Sequence, residues 1–316
     1  MSNFRTRNKH LPALILSLLI WGTSFPAMKL ALATNHPISI IFYRFTFSFF
    51  LLIPFFSVHF KRNIKIIGEN KELFILGIFN FLGMLLQLTG IKYTTSTKSV
   101  IITQLLTVVV FVLAYFFLKE KLDIWKIMGT LFSLLGAVIL STNLEFKGLF
   151  DKGTVKGDLL VLSAVFFWAL FVIFTRKFAL RFGGFMLLFP SVIATLSLSI
   201  PVVILSGNLP INGTGLLISL YLAVFCTIIP TLLFNYALKE VDAVTSSIIG
   251  PIEILSAAVI SFIFLGERLT LLEMSGGLFV ILSVYIVMIK SKNKKLISEA
   301  PAAPGIIIVN KNEKGK

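Results

Sequence analysis

Leu118, Glu120 and Leu122 in the corner Phe117-Leu-Lys-Glu-Lys-Leu122 return as Leu265, Glu267 and Leu269 in Phe264-Leu-Gly-Glu-Arg-Leu269, 147 positions downstream. The same offset carries Trp21 onto Trp168, Lys29 onto Arg176, Lys92 onto Lys239, Ser99 onto Ser246, Gly129 onto Gly276 and Phe132 onto Phe279. Two halves that match without gaps through their best-matched stretches read as two copies of one unit. What the repeat means depends on the number of helices in each copy.

Hydrophobic residues make up 57% of the 316 residues and charged residues 14%, too little polar surface to clothe a soluble globule of this size. Apolar runs of roughly 20 residues, the length that crosses the hydrocarbon core as helix, fall at residues 11–32, 38–59, 73–91, 99–118 and 124–141, then at 158–178, 185–206, 214–238, 243–265 and 271–289. These are helices one to ten. A β-barrel would show short alternating segments instead. The predicted fold is an all-α integral membrane protein of ten transmembrane helices. The first repeat is expected at 11–142 and the second at 158–290, with a cytoplasmic segment at 1–10, a joining loop at 143–157 and a disordered basic tail at 291–316.

Five spans per unit is an odd number, so the second copy enters the bilayer from the opposite side to the first. The repeats are therefore inverted, as in secondary transporters whose halves meet around a midplane site. The net charge of +15 follows from topology. Eighteen Lys and Arg residues lie on the side of both termini and seven on the other, which places the termini in the cytoplasm and the chain in the cytoplasmic (inner) membrane. Such a distribution calls for no nucleic-acid partner. The first helix is too long for a signal peptide and lacks a small-residue cleavage site, so it reads as an uncleaved anchor. Cys226 is the only cysteine and can form no disulfide within the chain.

The segment Leu19-Ile-Trp-Gly-Thr-Ser-Phe-Pro26, Phe42-Tyr-Arg-Phe45 in helix two and the two corners resemble the drug/metabolite transporter superfamily, EamA-like branch. The resemblance implies ten helices in two inverted five-helix repeats. It also implies a cavity lined by helices one, three, four, six, eight and nine, and movement of amino acids, other metabolites or drugs, often outward and without nucleotide hydrolysis. Family members often carry Glu-Pro in helix nine; here the place reads Glu253-Ile254, with Pro251 upstream, and its first-half counterpart is Leu106-Thr107. At Pro26, Pro190, Pro230 and Pro251 a freed carbonyl or a bend is expected.

Glu253 is the acid clearly inside a predicted span, and a charge there costs on the order of 3 kcal/mol on insertion scales. It reads either as a cavity group that binds a substrate amine or takes up a coupled proton or other ion, or as a structural partner, with Arg44 the obvious mate. Arg44, nearer the end of helix two, reads as a structural residue whose guanidinium snorkels to the interface. Asn80, Gly83, Met84 and Gln87 share a face of helix three; Thr227, Thr231 and Asn235 form a like stripe on helix eight. They read as cavity lining or as interhelical packing groups. Trp21 and Trp168 lie away from the interfacial belt, as walls for a planar or cationic ligand or as packing. Ser17, Trp21, Ser24 and Met28 share a face of helix one, and Thr103 and Gln104 are weaker candidates on helix four.

Gly129, Ser133 and Ala137, with Gly276 and Gly277, have the small-residue spacing of close helix packing, within the chain or between protomers of a homodimer. Glu120-Lys121 and Glu267-Arg268 read as hairpin structure, capping the next helix or forming ion pairs, with gating as the alternative. No Gly-rich phosphate loop or metal-spaced Cys/His set is present, so neither a cofactor nor enzymatic catalysis is expected. The expected activity is secondary transport of a small organic molecule, with amino acids or related amines favoured and export preferred to uptake. A non-transporting lipid-binding or assembly factor is the alternative. Reporter tags inserted at the two corners test the inversion: those at Glu120 and Glu267 are expected to label from opposite sides of the membrane, and labelling from one side would overturn it.

Overall fold

In a computed structural model, residues 9–57, 60–94, 96–120, 123–142, 144, 154–265 and 270–298 are described. Ten stretches among them are helical, long and apolar enough to cross a membrane. Helix one runs over His10–Gly22 and resumes as Ser24–Leu32; helix two is Pro37–Ser57, and helix three is Ile75–Ile91 behind a 3-10 turn at Lys71–Phe74. Helix four is Ser96–Leu113 and ends in a π turn, Ala114–Leu118; helix five is Ile124–Thr142. In the second half, helix six is Val155–Phe182 and helix seven Phe185–Leu205. Helix eight is Gly213–Ala223 continued through a π turn, Val224–Ile228, into Ile229–Ala237. Helix nine is Ala243–Ile249 plus Ile252–Leu265, and helix ten is Leu271–Ser298. A short helix, Phe60–Glu69, lies between helices two and three.

Two boundaries differ from the sequence reading for identifiable reasons. Helix ten continues to Ser298, into the stretch expected to be disordered, because Lys-Ser-Lys-Asn-Lys-Lys-Leu-Ile contains no helix breaker before Pro301. Residues 299–316 lie outside the described residues. Helix six begins three residues earlier than expected and reaches Phe182, ending at Gly183, whose positive φ of 78° an L side chain rarely adopts.

Contacts between helices five and ten show the orientation of the halves. A Cβ on Gly129 would lie 2.6 Å from Val287, one on Gly136 2.7 Å from the backbone nitrogen of Val280, and one on Gly276 2.5 Å from that of Leu140. Residue numbers rise along one helix as they fall along the other, so the two run antiparallel. Exchanging each residue for its counterpart 147 positions away turns the pair Gly129 and Val287 into Gly276 and Leu140. Phe132 and Phe279, themselves counterparts, meet with ring centroids 5.7 Å apart. A contact between counterparts lies on the pseudo-twofold axis. The remaining pairs repeat the pattern: helix one meets helix eight through His10 and Tyr236 at one end and Thr23 and Tyr221 further along. Helix six meets helix three through Phe174 and Phe79, and Val161 and Gly90.

The backbones of helices five and ten approach closely only because Gly136 and Gly276 have no side chains; a Cβ on Gly136 would lie 2.7 Å from the Gly276 carbonyl oxygen. Gly136→Val is expected to cost about 1–3 kcal/mol by overpacking, read as a lower thermal midpoint in detergent. Gly68→Val, with open space around it, serves as the control, and equal midpoints for both variants would refute this account of the crossing.

Candidate functional site

The site begins with a missing donor. Pro230 has no N–H, so it cannot bond the carbonyl four residues earlier, that of Cys226, and helix eight widens there into its π turn. The freed oxygen takes bonds from two other helices: Trp21 Nε1 donates to it at 3.0 Å and Arg44 Nη2 at 2.6 Å. Arg44 Nε donates to Thr227 Oγ1 at 2.6 Å, and that hydroxyl donates onward to the Leu222 carbonyl at 3.0 Å. Arg44 is only 8% exposed. The snorkelling expected from its place in helix two is thus corrected, because the π turn offers acceptors inside the protein. Beside it, Thr23 Oγ1 donates to the Ile20 carbonyl at 2.7 Å, so the Tyr221 hydroxyl at 2.6 Å is the donor to Thr23. The Cys226 thiol lies 3.6 Å from the same Thr23 oxygen.

Helix nine is broken at Gly250-Pro251. Pro251 cannot bond the Ser247 carbonyl, and Thr107 Oγ1 of helix four donates to it at 3.2 Å; Ser133 Oγ of helix five donates to the Ile248 carbonyl at 2.9 Å. Glu253 therefore stands in the first turn of a half-helix that starts within the span. Pro251, two residues before the acid, lies at the break. Helix one packs directly against this turn: a Cβ on Gly22 would lie 2.5 Å from the Glu253 carbonyl oxygen, and Ser256 Oγ donates to the Leu19 carbonyl at 2.7 Å. Among the described residues the Glu253 carboxylate has no ion pair and no hydrogen bond, so the pairing with Arg44 is absent.

The counterpart of this cluster is neutral. Trp168 Nε1 donates to Gln87 Oε1 at 3.2 Å, and its indole covers Gly83. Trp21 packs on Phe234, the counterpart of Gln87, at 5.1 Å between centroids. Gln104 is 7% exposed, and no hydrogen bond to its amide is found among the described residues. Ser24 and Thr231 are half-buried. Two of the expected stripe residues are engaged in packing: Asn80 Nδ2 donates to Thr195 of helix seven at 3.2 Å, and Asn235 Nδ2 to the Gly184 carbonyl at 3.1 Å, leaving Asn235 Oδ1 buried without a hydrogen bond. The structure thus joins Trp21 and Glu253 around Gly22, and Gln87 and Trp168 on the opposite side of the pseudo-twofold. It adds Thr23, Arg44, Tyr221 and Cys226. A proline four residues after a candidate acceptor was the sequence signal for them.

At the face where helix one begins, polar groups tie the halves together. Glu120 accepts from the backbone N–H groups of Ala243 at 2.9 Å and Val244 at 3.2 Å, so it caps helix nine rather than the helix that follows it. Helix five is capped by Asp123, which accepts from Lys126 N at 3.0 Å, and helix ten by Thr270 and Glu273 in a reciprocal box. Asp123 and Thr270 are themselves 147 residues apart. Lys126 pairs with Asp242 at 2.8 Å, and Arg176 donates to the Leu238 carbonyl at 2.5 Å. Burial, reinforced by Asp242, holds the Glu120 carboxyl above its usual value. Burial works to raise Asp242 as well, but the Lys126 ammonium and the donors of Thr245 outweigh it and leave that carboxyl below its usual value. At the opposite face Lys98 pairs with Asp158 at 3.1 Å, and Asn35 Nδ2 donates to Asn212 at 3.2 Å. Lys121, Glu267 and Arg268 lie outside the described residues. Among the described residues no three His, Cys, Asp or Glu side chains converge as a metal site would require.

The sequence profile of the EamA-like transporter family matches this chain twice, over residues 9–142 and 155–289. An uncharacterized transporter of Archaeoglobus fulgidus is 28% identical over 287 residues, covering 88% of this chain and 96% of that one. The uncharacterized transporter YcxC of Bacillus subtilis is 25% identical over 296 residues, covering 88% and 93%. A solved crystal structure superposes with a TM-score of 0.76 at 14% identity, covering 91% of this chain and 99% of that chain, which establishes the shared fold. The chain belongs to the EamA-like transporter family of the drug/metabolite transporter superfamily, and is a multi-pass membrane transporter.

Proposed function

We propose that this transporter moves small organic metabolites, with amino acids or related amines favoured, by alternating access around the cluster formed by helices one, two, eight and nine. The observation that supports this reading is Glu253: a carboxylate inside a span, in a turn packed against Gly22 of helix one, with no ion pair or hydrogen bond among the described residues. A substrate ammonium or a proton is the partner that such a group lacks. The lysine and arginine asymmetry supports an inner-membrane protein with both termini in the cytoplasm, and the resemblance to the family supports export. The energy source is the solute gradient or a coupled proton or other ion bound at Glu253.

The contacts of Glu120, Lys126 and Asp242 join first-half and second-half groups at one face, and Lys98 with Asp158 does so at the other. Each network acts as a latch that separation of the halves at that face would break.

Counterflow in proteoliposomes against a metabolite panel, with and without an imposed proton gradient, tests the transport reading. Saturable exchange of an amine-bearing solute is expected, and folded protein that exchanges nothing would end it. Glu253→Gln is expected to insert normally while losing transport or its response to the proton gradient; unchanged transport and pH response would remove Glu253 from the mechanism.

The latch has a pH signature. Because Glu120 holds its proton more tightly when folded, its contribution to stability is full below the unfolded glutamate value and is lost as pH rises through the higher folded value. Asp242 has the opposite sign: its contribution is present above the unfolded aspartate value and is lost as pH falls through the lower folded one. Glu120→Gln cannot titrate, so the thermal midpoint of the wild type should fall relative to this variant as pH rises from about 4.5 towards neutral. Parallel profiles for the two proteins would show that Glu120 is not the titrating group.

A further inference from the structure

Helix nine changes partners at its break. Its leading piece, Ala243–Ile249, is buried throughout and held by first-half residues on and between helices four and five. Glu120 accepts from its first two N–H groups, Thr107 donates to the Ser247 carbonyl, and Ser133 donates to the Ile248 carbonyl. Ile248 also lies against Gly129, where a Cβ would be 3.3 Å away. The trailing piece, Ile252–Leu265, is held by helix one instead: the Glu253 carbonyl and Ser256 close on Gly22, and Ser256 Oγ donates to the Leu19 carbonyl. It also reaches helix ten through Leu255, 3.0 Å from where a Cβ on Gly277 would lie. Between the pieces, the Gly250 N–H closes the first on the Ser246 and Ser247 carbonyls, and the N–H groups of Glu253, Ile254 and Leu255 start the second on the carbonyls of Gly250 and Pro251.

The repeat shows that this arrangement is particular to one side. The counterparts of Gly250 and Pro251 are Thr103 and Gln104, and helix four runs through them unbroken from Ser96 to Leu113. Helix one is interrupted at Thr23 and helix eight at Val224–Ile228, whereas their counterparts, helix six at Leu170 and helix three over 77–81, are continuous. Helices one, eight and nine contain Pro26, Pro230 and Pro251; helices six, three and four contain no proline. The three interruptions meet, because Thr23 Oγ1 lies 3.6 Å from the Cys226 thiol of the π turn and Gly22 abuts Glu253. An interrupted helix bends at its interruption, where the ladder of backbone bonds is broken, and a continuous one resists.

We propose that Gly250-Pro251 is a hinge without a counterpart in the first half: the leading piece of helix nine stays with helices four and five while the trailing piece turns with helix one. Glu253, two residues past the hinge, travels with helix one. Its packing on Gly22 is then kept, and its distance from helices four and five changes. Thr107 and Ser133 are positioning residues, since they fix the piece from which the angle is set. Helices three, four and six form the wall that does not bend. The hinge holds whatever solute is carried, so its failure and that of the transport reading are separate.

The test is electron spin resonance on the full-length chain in lipid nanodiscs, with nitroxide labels on cysteines introduced at exposed positions; the native Cys226 is buried. One pair, Leu135→Cys in helix five with Phe262→Cys in the trailing piece, spans the hinge, and a second, Leu16→Cys in helix one with Phe262→Cys, does not. Phe262 lies eleven residues past Pro251, so a bend of about 20° at the break displaces it by roughly 6 Å. The distance between Leu135 and Phe262 is expected to spread over that range, and the distance between Leu16 and Phe262 to stay narrow. Pro251→Gln, which gives helix nine the residue that helix four has at this place, should narrow the first distribution to the width of the second and leave the second unchanged. A first distribution no wider than the second, without the Pro251 substitution, overturns the hinge whether or not the Pro251→Gln variant folds. An undiminished width in folded Pro251→Gln places the motion elsewhere and overturns it as well.

Discussion

In hydrocarbon, every backbone polar group must find its partner within the protein, and the Cys226 carbonyl is where this chain makes most use of that constraint. Pro230 withdraws the usual donor, the helix widens, and the orphaned oxygen is satisfied from helices one and two through Trp21 and Arg44. Three helices are thereby fixed at one atom. A guanidinium that would otherwise seek the lipid headgroups is held in the interior because an acceptor awaits it there. Helix nine repeats the device at Pro251, where Thr107 donates to the Ser247 carbonyl alongside the Gly250 N–H. The broken backbone brings Glu253 into the first turn of a half-helix beside Gly22.

Around this asymmetric centre the framework is close to symmetric. Helices five and ten cross through counterpart glycines, helix one lies on helix eight as helix six lies on helix three, and the caps at Asp123 and Thr270 occupy matched positions. Symmetry governs the packing, and departures from it govern the chemistry. Gln87 on the Trp168 side corresponds to Phe234 on the Trp21 side, and Leu106 to Glu253.

The framework was legible in the sequence because its signals are long and redundant: ten apolar runs, and a repeat carried by residues as distinctive as Trp21 and Trp168. The site was legible only in part. Glu253 and Trp21 announced themselves through the cost or rarity of such residues at depth. Arg44 was placed at the interface because a snorkelling side chain and an inward-turned one have the same sequence, and only the acceptor from helix eight decides between them. Asn80 and Asn235 look like lining residues on a helical wheel, yet Asn80 donates to helix seven and Asn235 to Gly184 just before it, contacts that periodicity cannot reveal. Glu120 likewise seemed bound to its own hairpin. Its partners are backbone groups 123 and 124 residues away, beyond the range of any local pattern.

The meeting of Phe132 with Phe279 is isologous, the contact that two identical units make when each offers the other the same patch. A free-standing five-helix polypeptide threaded into the bilayer in both directions would find its upside-down twin through that patch. Covalent fusion then settles stoichiometry and relative direction in a single translation product. It also releases each copy from having to serve both roles, which is the circumstance under which one of them can acquire an acid and the other a guanidinium.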